Sequence, residues 1–564
     1  MKTWKKMLTH FDKKVCFFIV SLILPFVLLP LALSPSKELR CSYALILTAC
    51  YWILEPVPIP VTALLPVILL PVLGILSSSE VTANYMKEII MLILGSLITA
   101  VAVEESKLHE RIALKILLLL GTELKWLLLG VMLSTMFLSM WIINTAATAI
   151  MIPIVEALLQ KISASTNRNE EQGKAAPISE ISVTESKNIE DPEDDRISRD
   201  EFSSQSKSQI RTAFFLSICY SANIGGTGTL TGTGANFLLK GLMEEYFPGS
   251  NDINFASWMM YNVPGMLVCI FIAWIFLWRL YIRSSKQAAS LKEDLLEILS
   301  KRYKEQGSLS YSQIQVLVLF IILLLLWLTQ DPKIMNGWVT LIGFKKKIGA
   351  VVPAIAISFL LFLLPSDIRN FKSGPILKWK KVQRNIQWEI LLIIGGGFAL
   401  ADAAQKSGLS TVVQNHMTSL RVLPSGLIVL IVCLITTTMT EFLTNITTNI
   451  ILFPIISLMA SAMRMNPLYV LLPLTVTSSF AFMLPVGTPP NAIVFASSNM
   501  KIMDMVKPGI WMNIVCLAVQ MLMINSLGAV IFDVHNFPSW ANNTVLPVTI
   551  MSSNETLLNS TAKF

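Results

Sequence analysis

Charged side chains are scarce in this 564-residue chain, in which Asp, Glu, Lys and Arg make up 14 % of the residues. A soluble domain carries about 25 %. Apolar residues make up 54 %, and long apolar runs recur along nearly the whole length, each close to the ~20 residues that a helix needs to cross a bilayer. These features exclude a soluble multidomain protein and a single anchored ectodomain. They predict an all-α polytopic membrane protein.

Histidine is also rare, and the four histidines, His10, His109, His416 and His535, are scattered over ends and loops. No HExxH motif, Ser/His dyad or paired Asp is visible, so the sequence predicts that the chain is not an intramembrane hydrolase or another enzyme. The seven cysteines form no CxxC pair and indicate neither a zinc site nor a disulfide framework. The net charge of +8 is expected in cytoplasmic loops and does not indicate a nucleic-acid partner.

The apolar runs and the two ends of the chain predict a topology. Residues 1–14 are basic and are expected in the cytoplasm. The tail 532–564 carries three N-x-[ST] sequons, and a glycosylated tail is extracellular; the sequons lie at Asn542, Asn554 and Asn559. A chain that starts in the cytoplasm and ends outside the cell must cross the membrane an odd number of times. Eleven runs satisfy this parity, at 15–34, 42–56, 60–76, 89–104, 212–244, 257–280, 314–329, 349–364, 388–404, 466–498 and 509–531.

Polar segments between the runs support this orientation. The basic loops 281–312 and 365–387 are separated by two runs and are both expected in the cytoplasm. One loop does not follow the positive-inside rule, because the predicted topology places it outside although it contains Lys345, Lys346 and Lys347. Segment 162–210 is rich in Ser, Glu, Asp and Lys and nearly free of aromatics, and it is predicted to be a disordered cytoplasmic linker.

Two further apolar stretches, 112–160 and 424–460, are each long enough to enter the membrane and return. Parity leaves open whether they are paired spans or re-entrant hairpins. Both contain an Asn beside hydroxyl residues, in SMWIINTAATAIMIP (139–153) and in MTEFLTNITTNIILFP (439–454).

A second pattern follows each of these stretches. The runs SANIGGTGTLTGTGAN and SSFAFMLPVGTPPN are interrupted by Gly, Thr or Pro and end at Asn236 and Asn491. The spacing is 92 residues from Asn144 to Asn236 and 46 from Asn445 to Asn491. The two spacings differ by 46 residues, and removing a linker of about this length from the first half makes the two halves match. The sequence therefore predicts an internal repeat of hairpin plus broken helix, with the first copy in 15–161 and 211–280 and the second in 313–531.

Interrupted helices at membrane depth point to a binding site. Unwound backbone is tolerated there only where it is buried in protein or lines a cavity, and paired interruptions in two halves of a transporter mark its site. Half-helix N-termini favour anions, while freed carbonyls and hydroxyls suit a hard cation such as sodium. A lone Asn-Thr pair more often mediates helix packing, but two copies in matched context favour a site.

Three other interpretations are weighed against a carrier. GGTGTLTGTG has the wrong glycine spacing for GxGxxG and no GK[ST] follows it, which argues against a nucleotide loop. Broken helices also line channels, which saturable flux would distinguish. Glu441 and Asp402 are the notable charges of the apolar interior. Residues 395–397, all Gly, are interpreted as close helix packing, with a hinge as the second option.

In these motifs the sequence resembles the sodium-coupled dicarboxylate, citrate and sulfate cotransporters, the animal branch of the divalent anion/sodium symporter family. The resemblance runs from CSYALILTACYWILEPVPIPVTALLP to IFDVHNFPSWAN. It implies a plasma-membrane homodimer in which an elevator-type transport domain moves against a scaffold domain, with two re-entrant hairpins. It also implies sodium-coupled import of citrate or succinate, with sodium as the co-transported ion.

The resemblance assigns site residues position by position. The first sodium site would use Ser139, Ile143, Asn144 and Gly234, and the second Thr440, Asn445, Gly487 and Thr488. The anion would contact both tips and both interruptions, at Asn144, Thr145, Thr233, Gly234, Thr444, Asn445, Thr488 and Pro490.

Two residues depart from the family pattern. Ile143 stands where Ser is usual, so that only its backbone carbonyl remains for the ion, and Thr444 replaces a second Ser but keeps the hydroxyl. TGTGAN and LPVGTPPN resemble the carboxylate carriers more than the sulfate carriers. Sulfate transport is therefore the alternative, and a transport-impaired anion sensor is a further one because of Ile143.

Overall fold

The computed structural model describes residues 19–174, 192–283, 289–332, 335–343, 348–417 and 423–542. Within these ranges the regular elements are helices, and one isolated bridge joins Pro365 to Pro375. The first half contains ten helices in the described ranges: α1 (Ile19–Ala32), α2 (Lys37–Leu54), α3 (Ile59–Val72), α4 (Ser78–Glu105), α5 (Leu108–Leu120), α6 (Leu124–Trp141), α7 (Asn144–Lys174), α8 (Pro192–Gly225), α9 (Gly234–Tyr246) and α10 (Phe255–Ile282).

The second half begins with α11 and has several elements in the same order as the first half. Its helices in the described ranges are α11 (Ala289–Glu305), α12 (Tyr311–Leu328), α13 (Trp338–Ile342), α14 (Val351–Leu363), α15 (Trp379–Asn385), α16 (Trp388–Lys406), α17 (Leu409–Met417), α18 (Ser425–Thr440), α19 (Asn445–Ala462), α20 (Pro467–Thr477), α21 (Pro489–Ser498) and α22 (Ile502–Phe532).

Eight helices of the described ranges are long and apolar enough to cross a membrane, and five shorter apolar helices accompany them. Each of the eleven predicted runs falls on one or two of the helices, which agrees with an all-α polytopic architecture. The number of eleven crossings stays a prediction. Hydrogen-bonded caps start several spans, for example where Ser310 and Gln313 form a capping box at α12.

The predicted linker and tail lie partly outside the described residues. Helix α7 continues to Lys174 and α8 begins at Pro192, so the backbone at both ends of the 162–210 segment is helical. Residues 175–191, 1–18 and 344–347 lie outside the described ranges, as do the sequons at Asn554 and Asn559. The linker, the cytoplasmic N-terminus and the glycosylated tail therefore stay predictions.

Hairpin-like helix pairs and broken helices occur once in each half. Residues 142–143 join α6 to α7, and residues 441–444 join α18 to α19. Pro153 and Pro454 each lie nine residues after the Asn that opens the second helix of the pair. The following helices are interrupted at 226–233, between α8 and α9, and at 478–488, between α20 and α21. Each half thus has a helix pair followed by an interrupted helix, and the assignment of the two halves as a repeat stays a prediction.

The three glycines 395–397 allow α16 to approach three different elements. A Cβ at Gly395 would lie 2.4 Å from the Tyr85 ring, and one at Gly396 would lie 2.5 Å from the carbonyl oxygen of Ala63. A Cβ at Gly397 would lie 3.2 Å from Ile450 on α19. These distances support close helix packing rather than a hinge.

Candidate functional site

A cavity of about 210 Å³ lies where the two hairpin tips meet the two interrupted helices. All eight residues predicted to bind the anion line it, together with Ile143 and Gly487. Ser139 and Thr440 do not line it; both are fully buried. The structure thus brings the predicted anion-binding residues together across some 350 positions of sequence, while their roles stay predictions.

The opposite wall of the cavity is apolar. It comes from α3, α4 and α16 and consists of Ile59, Pro60, Ile93, Leu97, Ile390 and Ile393. Two polar residues near the start of α16, Gln387 and Glu389, join this wall, and the sequence analysis did not single them out. Among the described lining residues there is no Lys, Arg or His.

Four helices begin at the cavity. The first residues of α7, α9, α19 and α21 are Asn144, Gly234, Asn445 and Pro489, and each of the four lines the cavity. A helix N-terminus acts as roughly half a positive charge and presents unpaired backbone N–H groups, which suits an anion. Helix α21 begins with Pro489 and Pro490, which have no N–H, so at this end the attraction comes from the helix dipole and from the N–H groups of the residues that follow. The cavity can therefore hold an anion without a cationic side chain.

Three oxygen atoms cluster behind the first hairpin tip. The Ser139 hydroxyl lies 2.5 Å from Oδ1 of Asn144 and 2.7 Å from the carbonyl oxygen of Ala222. Both side chains are buried. A hydroxyl has one proton to donate, so it cannot satisfy both acceptors at once. Such a group of oxygens is suited to a hard cation.

The second hairpin tip repeats this arrangement. The Thr440 hydroxyl lies 3.3 Å from Oδ1 of Asn445 and also donates to the carbonyl oxygen of Ser478. The hydroxyl and the Asn are five residues apart in both tips. Sequence analysis named the side chains of each cluster but missed the two carbonyls, because no residue type marks a backbone oxygen.

The two interruptions are closed by the same hydrogen bonds. The Asn236 side-chain NH₂ donates to the carbonyls of Gly226 and Thr229, at 3.0 and 2.7 Å. Asn491 donates to the carbonyls of Ala481 and Leu484, at 2.8 and 3.0 Å. Both Asn residues bond ten and seven positions back. This match makes Gly232, not Gly234, the counterpart of Gly487.

Two glycines allow the tips to approach the interruptions closely. A Cβ at Gly226 would lie 2.6 Å from Oδ1 of Asn144. A Cβ at Gly487 would lie 3.1 and 3.2 Å from the carbonyl oxygens of Glu441 and Thr440. A side chain at either position would push the interruption away from its tip.

Asn223 joins the two halves and was not singled out from the sequence. Its side-chain NH₂ lies within 3.0–3.3 Å of the Ala481 carbonyl, the Thr488 hydroxyl and Oδ1 of Asn491. Asn223 Oδ1 is buried and has no hydrogen-bond partner among the described residues. The second interruption is therefore held in register by a residue from the first half.

Glu441 stabilises the second interruption. Its carboxylate is 2 % exposed and accepts hydrogen bonds from the backbone N–H groups of Phe482, Met483 and Leu484, at 2.9–3.1 Å. The side-chain NH₂ of Asn513 donates to it at 2.8 Å. These N–H groups have no helical acceptor because the helix is broken there. The sequence marked Glu441 as notable, and the structure gives it this structural role.

Comparison with known proteins decides the family. A profile of the family described as the sodium:sulfate symporter transmembrane region matches residues 9–534. The chain belongs to this family. It is 40 % identical to the Na(+)/citrate cotransporter of Mus musculus, with 93 % of this chain and 97 % of the relative covered. It is 39 % identical to solute carrier family 13 member 2 of Oryctolagus cuniculus (93 % and 95 % covered) and 36 % identical to Na(+)/dicarboxylate cotransporter 3 of Homo sapiens (94 % and 96 %).

Membership of this symporter family confirms the resemblance seen in the motifs. It also identifies the chain as a multi-pass membrane protein from a family of transporters, in agreement with the prediction that it is not an enzyme. The family profile, which matches residues 9–534, spans both hairpins and both interruptions.

The symporter's two tips differ at their helix caps. Thr444 precedes α19, and its hydroxyl accepts from the N–H of Thr447 at 3.2 Å. The equivalent residue before α7 is Ile143, which has no hydroxyl, and its carbonyl accepts from the N–H of Ala147 at 3.1 Å. This hydrogen bond uses one lone pair of the Ile143 carbonyl oxygen. Ile143 is also one of the residues that line the cavity.

Changing Ile143 to Ser is expected to lower the sodium concentration that gives half-maximal uptake. The new hydroxyl would cap α7, which is worth about 1 kcal/mol, and would add an oxygen beside the first cluster. Sodium titration of uptake in cells measures the effect. Thr444→Val is the mirror variant and is expected to raise the half-maximal concentration. An unchanged sodium curve for Ile143→Ser would mean that only the carbonyl matters at this position.

Proposed function

We propose that this protein is a sodium-coupled symporter that imports di- or tricarboxylates, such as citrate or succinate, across the plasma membrane. The observation that carries the proposal is the cavity itself. It lies at four helix N-termini, has no cationic side chain among its described lining residues, and is flanked by two matched oxygen clusters. Two of the relatives are named as citrate and dicarboxylate cotransporters.

Sodium in the two oxygen clusters would supply the positive charge that the cavity lacks. Asn144 and Asn445 each contribute Oδ1 to a cluster and also line the cavity. A cation bound at either cluster would order the tip that contacts the anion. Because coupling between two binding sites is reciprocal, a bound anion would in turn raise the affinity for sodium.

Import also needs a movement that exposes the cavity to each side in turn. We infer an elevator mechanism in which the hairpins and interrupted helices move together against a scaffold that includes α3, α4 and α16. The apolar side chains of Ile390 and Ile393 on the scaffold side support this division, since apolar contacts can slide without breaking hydrogen bonds. The homodimer implied by the family resemblance, the cytoplasmic N-terminus and the extracellular, glycosylated C-terminus belong to the same proposal.

Carboxylates are favoured over sulfate by the motifs and by the named relatives. The cavity of about 210 Å³ is smaller than the ~300–1,000 Å³ pockets of drug-sized ligands, which suits a small anion. Uptake would be electrogenic when more sodium charge than anion charge enters, and each net positive charge gains ~2.3 kcal/mol per 100 mV.

Replacing sodium with choline is expected to abolish carboxylate uptake. Labelled citrate, succinate and sulfate are offered to cells that express the chain and to mock-transfected cells. Saturable, sodium-dependent uptake of citrate or succinate, increased by an inside-negative potential, is the expected result. Sodium-dependent sulfate uptake alone would select the sulfate alternative, and non-saturating flux would indicate a channel. No uptake despite surface expression would favour the sensor.

A further inference from the structure

Glu389 is the one ionisable residue among the described residues that line the cavity. It lies in the first turn of α16 and is exposed. No hydrogen bond or ion pair joins its carboxylate to another described residue, in contrast to Asp402 on the same helix, which lies 3.3 Å from Lys406. A negative charge thus stands, without a paired cation, beside a cavity proposed to bind anions.

This charge opposes the features that attract the anion. Four helix N-termini and any sodium at the two oxygen clusters raise the positive potential in the cavity. The carboxylate lowers it. Coulomb repulsion between Glu389 and a bound anion grows in proportion to the number of charges on the anion. The penalty is therefore larger for a trianion than for a dianion of the same size.

We propose that Glu389 sets the charge preference of the carrier, so that dianions such as succinate and doubly charged citrate are preferred over triply charged citrate. This inference rests on the proposed function, because it needs the anion to bind in this cavity. Glu389 acts as a specificity-determining residue and need not contact the substrate, since its effect is long-range.

The size of the effect follows from distance and charge. Two unit charges roughly 9 Å apart in a water-like medium repel enough to change an equilibrium constant about twofold. The factor applies once for each charge on the anion. Removing the charge of Glu389 is therefore expected to lower the KM about fourfold for a dianion and about eightfold for a trianion.

The test compares Glu389→Gln with Glu389→Asp and Glu110→Gln. Glutamine keeps the shape but removes the charge, aspartate keeps the charge, and Glu110 is an acidic residue of α5 that does not line the cavity. The KM for succinate and for citrate is measured with saturating sodium at neutral pH, where citrate is mostly triply charged. Glu389→Gln should lower both KM values, and citrate more than succinate. The two control variants should stay within about twofold of wild type.

Equal changes for both substrates, or none, would overturn the proposal, as would the same shift in Glu110→Gln. A second measurement uses the wild-type chain alone. Mild external acidification, which converts citrate to its dianion, should raise citrate uptake and leave succinate uptake nearly constant; no rise would also overturn it. Absence of sodium-dependent uptake of either carboxylate by the wild-type chain would instead refute the proposed function.

Discussion

Asn144→Ala is expected to abolish sodium-dependent uptake while the protein still reaches the cell surface. Asn144 contributes Oδ1 to the first oxygen cluster, 2.5 Å from the Ser139 hydroxyl, and is the first residue of α7 at the cavity. Alanine removes both the cation ligand and the polar group that faces the anion. Losing one contact to a charged group costs about 1.5–3 kcal/mol, which lowers uptake more than about tenfold at limiting sodium.

The measurement is labelled-carboxylate uptake at several sodium concentrations, normalised to the amount of protein biotinylated at the surface. Asn445→Ala is expected to have the same effect at the second cluster. Asn370→Ala is the matched control, because Asn370 is an exposed loop residue outside the cavity. Wild-type uptake by Asn144→Ala would refute the assignment of this tip to the site.

Glu441→Ala is expected to lower the melting temperature strongly and to reduce the amount of folded protein. The substitution leaves three backbone N–H groups without an acceptor, the buried one of Phe482 and the part-buried ones of Met483 and Leu484. Each unsatisfied group costs about 1–3 kcal/mol, and the total is a large fraction of the 5–15 kcal/mol that stabilises a typical protein. Glu441→Gln keeps one acceptor oxygen and should be intermediate.

Thermal unfolding of the detergent-solubilised protein, followed by size-exclusion chromatography, gives the order of stability. Wild type should be most stable, then Glu441→Gln, then Glu441→Ala. Glu110→Ala removes an acidic side chain from a half-exposed position on α5 and should stay close to wild type. A melting temperature for Glu441→Ala equal to that of wild type would show that water replaces the carboxylate in the second interruption.

Much of the fold could be predicted because membrane helices have a strong local signal. The eleven apolar runs and the two longer stretches all fall on helices of the described ranges. Runs of Gly, Thr and Pro marked both interruptions, since these residues are poor at continuing a helix. The same order of hairpin, interruption and closing Asn, with an extra linker in the first copy, indicated the two halves.

The contacts that organise the site were harder to predict. Ala222 and Ser478 act through backbone carbonyls, so their side chains give no signal. Asn223 bonds to a carbonyl 258 positions away, and nothing near it in the sequence specifies that partner. Glu389 follows a basic loop and looks like an ordinary helix-start acid, although it lines the cavity.

The sequence by itself determined the membrane class, the helical runs, the repeat and the residue types of the two tips, because these depend on local composition and spacing. Only the tertiary structure decided which carbonyls complete the oxygen clusters, that four helix N-termini meet at one cavity, and that Glu389 stands on its apolar wall. Those features depend on how distant segments pack, and packing is set by the whole chain rather than by any one stretch of it.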